Sequence, residues 1–168
     1  MQTASLIVML ILLAVALGMM LLSLTASRPT NLGVRDGRLA ACPDSPNCVS
    51  SQAEDHDHWI APLTYSPTAD NVIDVLEKIV LQLPRTQVIE KTHNYLHVEV
   101  RSSVFRFTDD VEFYVDVGSD RVHVRSASRV GRSDLGVNRA RIEAIRSLLR
   151  ATTQDGPNAQ VFPQATRI

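Results

Sequence analysis

The chain has 168 residues, with 17 basic and 18 acidic side chains, 5 histidines and a formal net charge of −1. That length holds one domain of ordinary size, and the balanced charge with few aromatic side chains argues against a nucleic-acid partner. No cofactor is expected.

The first element is apolar. Leu6 to Leu24 holds no charged residue, one glycine (Gly18) and one polar side chain (Ser23). About 20 such residues in a helix span the roughly 30 Å hydrocarbon layer, so residues 1–26 are expected to form a single-pass anchor in the cell membrane. A cleaved signal peptide is the competing reading. It is disfavoured by the absence of a basic n-region, by the length of the stretch and by the poor cleavage pattern at Leu24-Thr25-Ala26. Arg28, Arg35 and Arg38 follow the helix and, by the positive-inside rule, argue for a cytoplasmic domain.

Residues 27–41 read as a short linker, and the folded domain is expected over 42–151. Its first feature is the run Cys42-Pro43-Asp44-Ser45-Pro46-Asn47-Cys48, in which turn formers separate the only two cysteines. Three states are open to them. A disulfide closing so small a ring contributes about 2 kcal/mol and persists in oxidising, periplasm-like compartments. Two free thiols suit a reducing one. A tetrahedral zinc site with His56 and His58 is the third, although the cysteine spacing is wider than usual.

Trp59 to Leu63 reads as a short edge strand, with Pro62 barring it from a sheet interior. Ser66 and Pro67 are placed to open a helix. Its stripe is Val72, Ile73, Leu76, Ile79, Val80 and Leu83, and Pro84 stops it. Four strands follow: Thr86 to Lys91, Tyr95 to Arg101, Val111 to Val117, and Arg121 to Arg129. The alternation puts Leu96, Val98, Val100, Val111, Phe113, Val122 and Val124 on one face. Setting Val117 opposite Val122 puts Phe113 opposite Ser126, and on the other face Asp116 opposite His123, Tyr114 opposite Arg125 and Asp110 opposite Arg129. A last helix spans Leu135 to Ala151, capped by Ser133 or Asp134, with Ile142, Ile145, Leu148 and Leu149 inward. Residues 152–168 read as a flexible tail. The order β-α-β-β-β-β-α predicts an α+β two-layer sandwich. An antiparallel sheet of four to five strands carries two helices on one face, with the other face solvated.

Two constellations carry candidate chemistry. Eight arginines lie between Arg121 and Arg150 against two acids, Asp134 and Glu143. Arg125, Arg129 and Arg132, with Ser126, Ser128, Asp134 and Asn138 at the adjoining helix start, can form an anion or partner site. Neutralisation of those arginines by Asp109, Asp110, Glu112 and Asp116 is the simpler alternative. Asp109, Asp110, Glu112, Ser126, Ser128, Arg129, Asp134 and Asn138 can also be read as a small catalytic cluster.

Three stretches carry a resemblance: Cys42 to Gln52, Phe107 to Phe113, and Arg125-Ser126-Ala127-Ser128-Arg129-Val130-Gly131-Arg132-Ser133-Asp134-Leu135-Gly136-Val137-Asn138-Arg139. Over about residues 39 to 151 the chain resembles domain-of-unknown-function family 1499, whose members are bacterial and plastid proteins, often with an N-terminal membrane or export segment. The resemblance implies no activity, but it favours an extracytoplasmic domain, a setting that suits paired cysteines. The function expected is a non-catalytic, membrane-tethered binding or assembly module in the periplasm or an equivalent space. Its partner would be an unknown protein or an anionic small molecule. A small enzyme built on the Asp/Arg/Ser/Asn cluster is the alternative.

Overall fold

The computed structural model describes residues 2–65, 71–116 and 119–154. Its first element, α1 (Gln2–Thr25), has 24 residues, about 36 Å at 1.5 Å per residue and thus long enough to cross a bilayer. Its apolar side chains face outward, and only Met19 and Ser23, one helical turn apart, are half-buried.

The sheet is antiparallel throughout. Its strands are β1 (Cys48–Ser50), β2 (Leu63–Thr64), β3 (Thr86–Lys91), β4 (Tyr95–Arg101), β5 (Thr108–Val115) and β6 (Arg121–Ser128). They stand in the order β1-β6-β5-β4-β3, with β2 also paired to β6. Two helices, α2 (Val72–Val80) and α3 (Val137–Gln154), cover one face. The α+β class, the antiparallel sheet and the two covering helices are those expected.

The core follows from the two periodicities. Val72, Ile73, Leu76, Ile79 and Val80 of α2 and Ile142, Ile145 and Leu149 of α3 are buried against Leu96, Val98, Val111, Phe113, Val122 and Val124. Each large apolar side chain so buried contributes about 1.5–3 kcal/mol. Asn71 caps α2, its side chain accepting from the Ile73 amide at 3.1 Å. The cap expected at Ser66 and Pro67 lies outside the described residues. The last helix starts two residues later than its pattern suggests, because Leu135 (φ 55) and Gly136 (φ 80) have a left-handed backbone that a helix cannot contain. Of the tail, residues 155–168 lie outside the described residues.

The hairpin register differs from the expected one by two residues. Val122 lies opposite Val115, Val124 opposite Phe113 and Ser126 opposite Val111. Consequently Tyr114 meets His123, and Arg125 meets Glu112. A slip of two leaves every side chain on its expected face, so burial alone cannot detect it. Val117, the last residue of the expected strand, and Gly118 after it lie outside the described residues. The first expected strand is also shifted. Pairing begins at Leu63, beyond Pro62, and Trp59 makes only an isolated bridge to Ser50. The three-residue β1 was not expected at all.

The largest departure concerns the second sheet face, which is covered rather than solvated. Tyr95, His97, Glu99, Asp110, Glu112 and Arg125 are all buried there. Residues 27–41, read above as a linker, lie over them. Arg28 reaches Glu99, the Gly33 amide donates to Glu112 Oε1 at 2.8 Å, and Leu39 packs on Tyr95 and Tyr114. A tight turn brings Leu39 into place. Arg35 and Arg38 exchange two backbone hydrogen bonds of 2.9 Å around Asp36 (φ 51) and Gly37 (φ 73). Positive φ at both centres is the hairpin geometry that Asp-Gly favours.

Candidate functional site

The β4–β5 loop, the β6–α3 loop and the cysteine loop meet at one end of the sheet, where α1 also ends. Successive strand residues point to opposite faces, and this divides the seven candidate residues into two groups.

On the helix face the centre is Asn138, which is fully buried. Its Nδ2 donates to the Asn47 carbonyl at 2.9 Å and to Ser128 Oγ at 3.1 Å. Its Oδ1 accepts from Ser126 Oγ at 2.6 Å and from Arg141 Nη1 at 2.6 Å. Arg141 also binds Ser126 Oγ and Asp109. Asp134 caps α3, accepting from the Asn138 amide at 2.7 Å and the Gly136 amide at 3.1 Å. This layer ties the cysteine loop, the end of β6 and the start of α3 together. Arg141 was missed in the sequence. Its signal was the three-residue spacing from Asn138, which puts both on one helix face.

On the opposite face a second layer alternates acids and bases. Arg129 binds Asp110 in a two-pronged contact of 2.8 and 2.7 Å and also reaches Glu99. Arg28 donates to Glu99 Oε1 at 3.0 and 2.6 Å, and His97 Nε2 lies 2.8 Å from Asp110 Oδ1. Glu112 accepts from Tyr95 Oη at 2.8 Å and Arg125 Nη1 at 3.2 Å. Burial alone would raise the Glu99 and Asp110 carboxyls, but hydrogen bonds from Arg129, with those of Arg28 and His97, outweigh it and hold both below the usual carboxylate range. The Tyr95 hydroxyl is pushed upward by burial and by Glu112. Tyr95, His97 and Glu99 escaped the sequence reading because their strand face was taken as solvated, and Arg28 because residues 27–41 were read as a linker.

Arg125 differs from its neighbours. The residue is 5% exposed and Nη1 holds Glu112, yet its buried Nε has no hydrogen-bond partner. It lines an open cleft of about 330 Å³ with Pro29, Asn31, Pro43, Asp110 and Arg129. The two strand arginines thus do share a cleft. Ser126 and Asn138 lie on the other side of the sheet, and Arg132 is exposed on the β6–α3 loop without an ion pair among the described residues.

Three of the four acids expected to neutralise arginines do so: Asp109 with Arg141, Asp110 with Arg129 and Glu112 with Arg125. Arg139 and Arg146 grip backbone carbonyls of Asp57, Trp59, Ala61 and Pro62, and Arg146 also pairs with Glu143. The eight-residue cluster is split between the two faces: Asp109, Ser126, Ser128, Asp134 and Asn138 lie on the helix face, with Arg141 bridging Asp109 and Ser126, and Asp110, Glu112 and Arg129 lie on the other. Another contact, Ser51 Oγ to His123 Nδ1 at 3.2 Å, was not anticipated. Ser51 Oγ also accepts the Val124 amide at 2.9 Å, which fixes it as a strand-end tie.

Cys42 and Cys48 form a disulfide with a Cα–Cα separation of 5.7 Å. This removes both sulfurs from the zinc alternative. His58 lies between Asp55 Oδ1 at 2.7 Å and the Ser45 carbonyl at 3.1 Å, while His56 is fully exposed. The disulfide also shapes the cleft, whose wall includes Cys42 and Pro43.

A family model described as a protein of unknown function (DUF1499) matches residues 38–149. No curated protein and no solved structure matches the chain.

Proposed function

Since the chain belongs to the DUF1499 family of proteins of unknown function, we propose from its own geometry that it is a membrane-tethered, extracytoplasmic module binding a small carboxylate- or phosphate-bearing ligand beside Arg125. The observation that carries this reading is Arg125, which lines an open cleft and whose buried Nε has no hydrogen-bond partner. Leaving a buried donor unsatisfied costs about 1–3 kcal/mol, and an anionic oxygen that enters the cleft and turns the guanidinium toward it recovers that cost. Guanidinium suits such a ligand because its N–H groups match two oxygens of a carboxylate or phosphate. Arg129 borders the same cleft, but its Nε and Nη2 are taken by Asp110 and Glu99, whereas Arg125 holds Glu112 through Nη1 and its Nε has no partner. Arg129 contributes shape and field, and Arg125 contributes the contact.

Tethering is supported by α1, which is long and apolar enough to span a bilayer. An extracytoplasmic setting is supported by the disulfide, since such bonds persist in oxidising compartments. A catalytic role draws less support. Asp110 and Glu99 are ion-paired and held acidic, which leaves neither poised as a base near neutral pH.

The test is NMR of the full chain in nanodiscs, following the backbone amide of Asn31, which lines the same cleft, while inorganic phosphate or succinate is added. A saturable shift is expected in the wild type. In Arg125→Lys, which keeps the charge but loses Nε, apparent affinity should fall about tenfold or more, or roughly 1.4 kcal/mol. A non-saturating response identical in both proteins would rule out a site at Arg125.

A further inference from the structure

We infer that the end of the domain from which α1 emerges rests in the surface of an anionic bilayer, with the β4–β5 loop and the β6–α3 loop inserted at head-group depth. The inference rests on the tethering proposed above and adds an interface to it. Outside α1, the large apolar side chains left exposed among the described residues are Trp59, Leu81, Val104, Leu135 and Val137, and the last three lie on these two loops or just after them. Val104 is 75% exposed and Leu135 94%. Leu135 has a φ of 55, a conformation that a leucine rarely adopts and that here presents an apolar side chain wholly to the outside.

The position of α1 says what covers this patch. Met19 and Ser23, its half-buried residues, define the side that leans on the domain. One cleft is walled by Met20 and Leu24 on the helix and by Val104 and Phe105 on the β4–β5 loop. A second joins Met19 and Leu22 to Phe107, Val130 and Val137. From Met20 to Thr25 the helix rises about 8 Å. A loop touching Met20 while α1 spans the membrane therefore lies within that distance of the helix end. This is the depth, about 5–10 Å, at which amphipathic segments settle between head groups and acyl chains.

Charge points the same way. Arg106 and Arg132 are exposed on these loops and make no ion pair among the described residues, and Arg101 at the base of the first loop, paired with Glu99 at 3.7 Å, is still 42% exposed. Apolar tips flanked by arginines match a surface of acyl chains beneath anionic head groups. The connection between helix and domain is also braced, because Arg28, three residues after α1, is held by Glu99.

Site-directed spin labelling tests this on the full chain. Both native cysteines are in the disulfide, so one introduced thiol is labelled selectively. Labels at Leu13→Cys (within α1), Val104→Cys, Leu135→Cys and His93→Cys (the opposite end) are compared in nanodiscs containing phosphatidylglycerol. Positions 104 and 135 should show the oxygen-accessible, nickel-excluded signature of lipid, as at position 13, while position 93 remains aqueous. Adding Arg106→Glu with Arg132→Glu should shift 104 and 135 toward the aqueous signature. Aqueous signals at 104 and 135 with a lipid signal at 13 would overturn the docking and leave the tether intact. An aqueous signal at 13 would overturn both. Equal insertion with the arginines reversed, or in purely zwitterionic lipid, would overturn the role assigned to anionic head groups.

Discussion

Replacing Arg129 with alanine is expected to lower the unfolding free energy by about 3–5 kcal/mol, because it leaves two buried carboxylates without their shared cation. Glu99 and Asp110 are 4% and 1% exposed, so water cannot take over the role of the guanidinium. Glu99 would retain Arg28 and Asp110 would retain His97, which keeps the loss within this range. A loss of that size is a large fraction of the roughly 5–15 kcal/mol typical of a folded domain. Denaturant unfolding of the full chain in detergent, followed by circular dichroism, measures it. Adding Asp110→Asn and Glu99→Gln should recover part of the loss, since the stranded charges are then gone.

The same network sets an acid limit. Both carboxyls have native pKa values below their unfolded ones of about 4, so their stabilisation is complete above that pH and is lost as the pH falls through the depressed native values. In Arg129→Ala the cation that overcame burial is missing, and the two carboxyls move upward. The stability gap between wild type and variant should therefore narrow below about pH 4.

Asn138→Ala is the second large effect, at about 3 kcal/mol. The side chain joins three segments at a fully buried point, and its removal leaves the Ser126 hydroxyl hydrogen without its acceptor and takes one partner from the Asn47 carbonyl, Ser128 Oγ and Arg141 Nη1. Each buried polar group left unsatisfied costs about 1–3 kcal/mol, partly offset by the Ser128 amide that still donates to Asn47 and by Asp109, which still holds Arg141. The damage should be local as well as global. Amides of the cysteine loop and the β6–α3 loop should lose protection first, because Asn138 is what links them. Hydrogen exchange before and after the substitution reads both effects.

Much of this architecture is written in hydrophobic period. Tyr95–Arg101 alternates so regularly that its strand limits were legible, and the stripe from Val72 to Val80 marked α2. Period also explains what was lost. Arg125 and Ser126 are adjacent, so on a strand they must point apart, yet both were assigned to one anion site. The hairpin slip of two was invisible to a rule that detects only odd slips. The covered face was missed because Glu99, Asp110, Glu112, Arg125 and Arg129 are charged, and charge reads as solvent exposure. Their signs nearly balance, and balance across neighbouring strands is what allows such a layer to be buried. The Asp36-Gly37 turn and Leu39 were further signals that residues 27–41 return to the sheet, but between an anchor and a cysteine loop they looked like spacer. The free Nε of Arg125 depends on side-chain geometry, and no residue pattern encodes it.

Everything proposed for the cleft depends on residues 27–41 lying over the charged sheet face, and hydrogen exchange at two amides tests that most directly. The Gly33 amide donates to Glu112 Oε1 and the Leu39 amide to Gln52 Oε1, each at 2.8 Å. In the full chain under native conditions both should exchange roughly 100-fold or more slowly than in an unstructured peptide. Exchange of both at the free-peptide rate would mean that the segment is a tether and the charged face is open, contradicting the account.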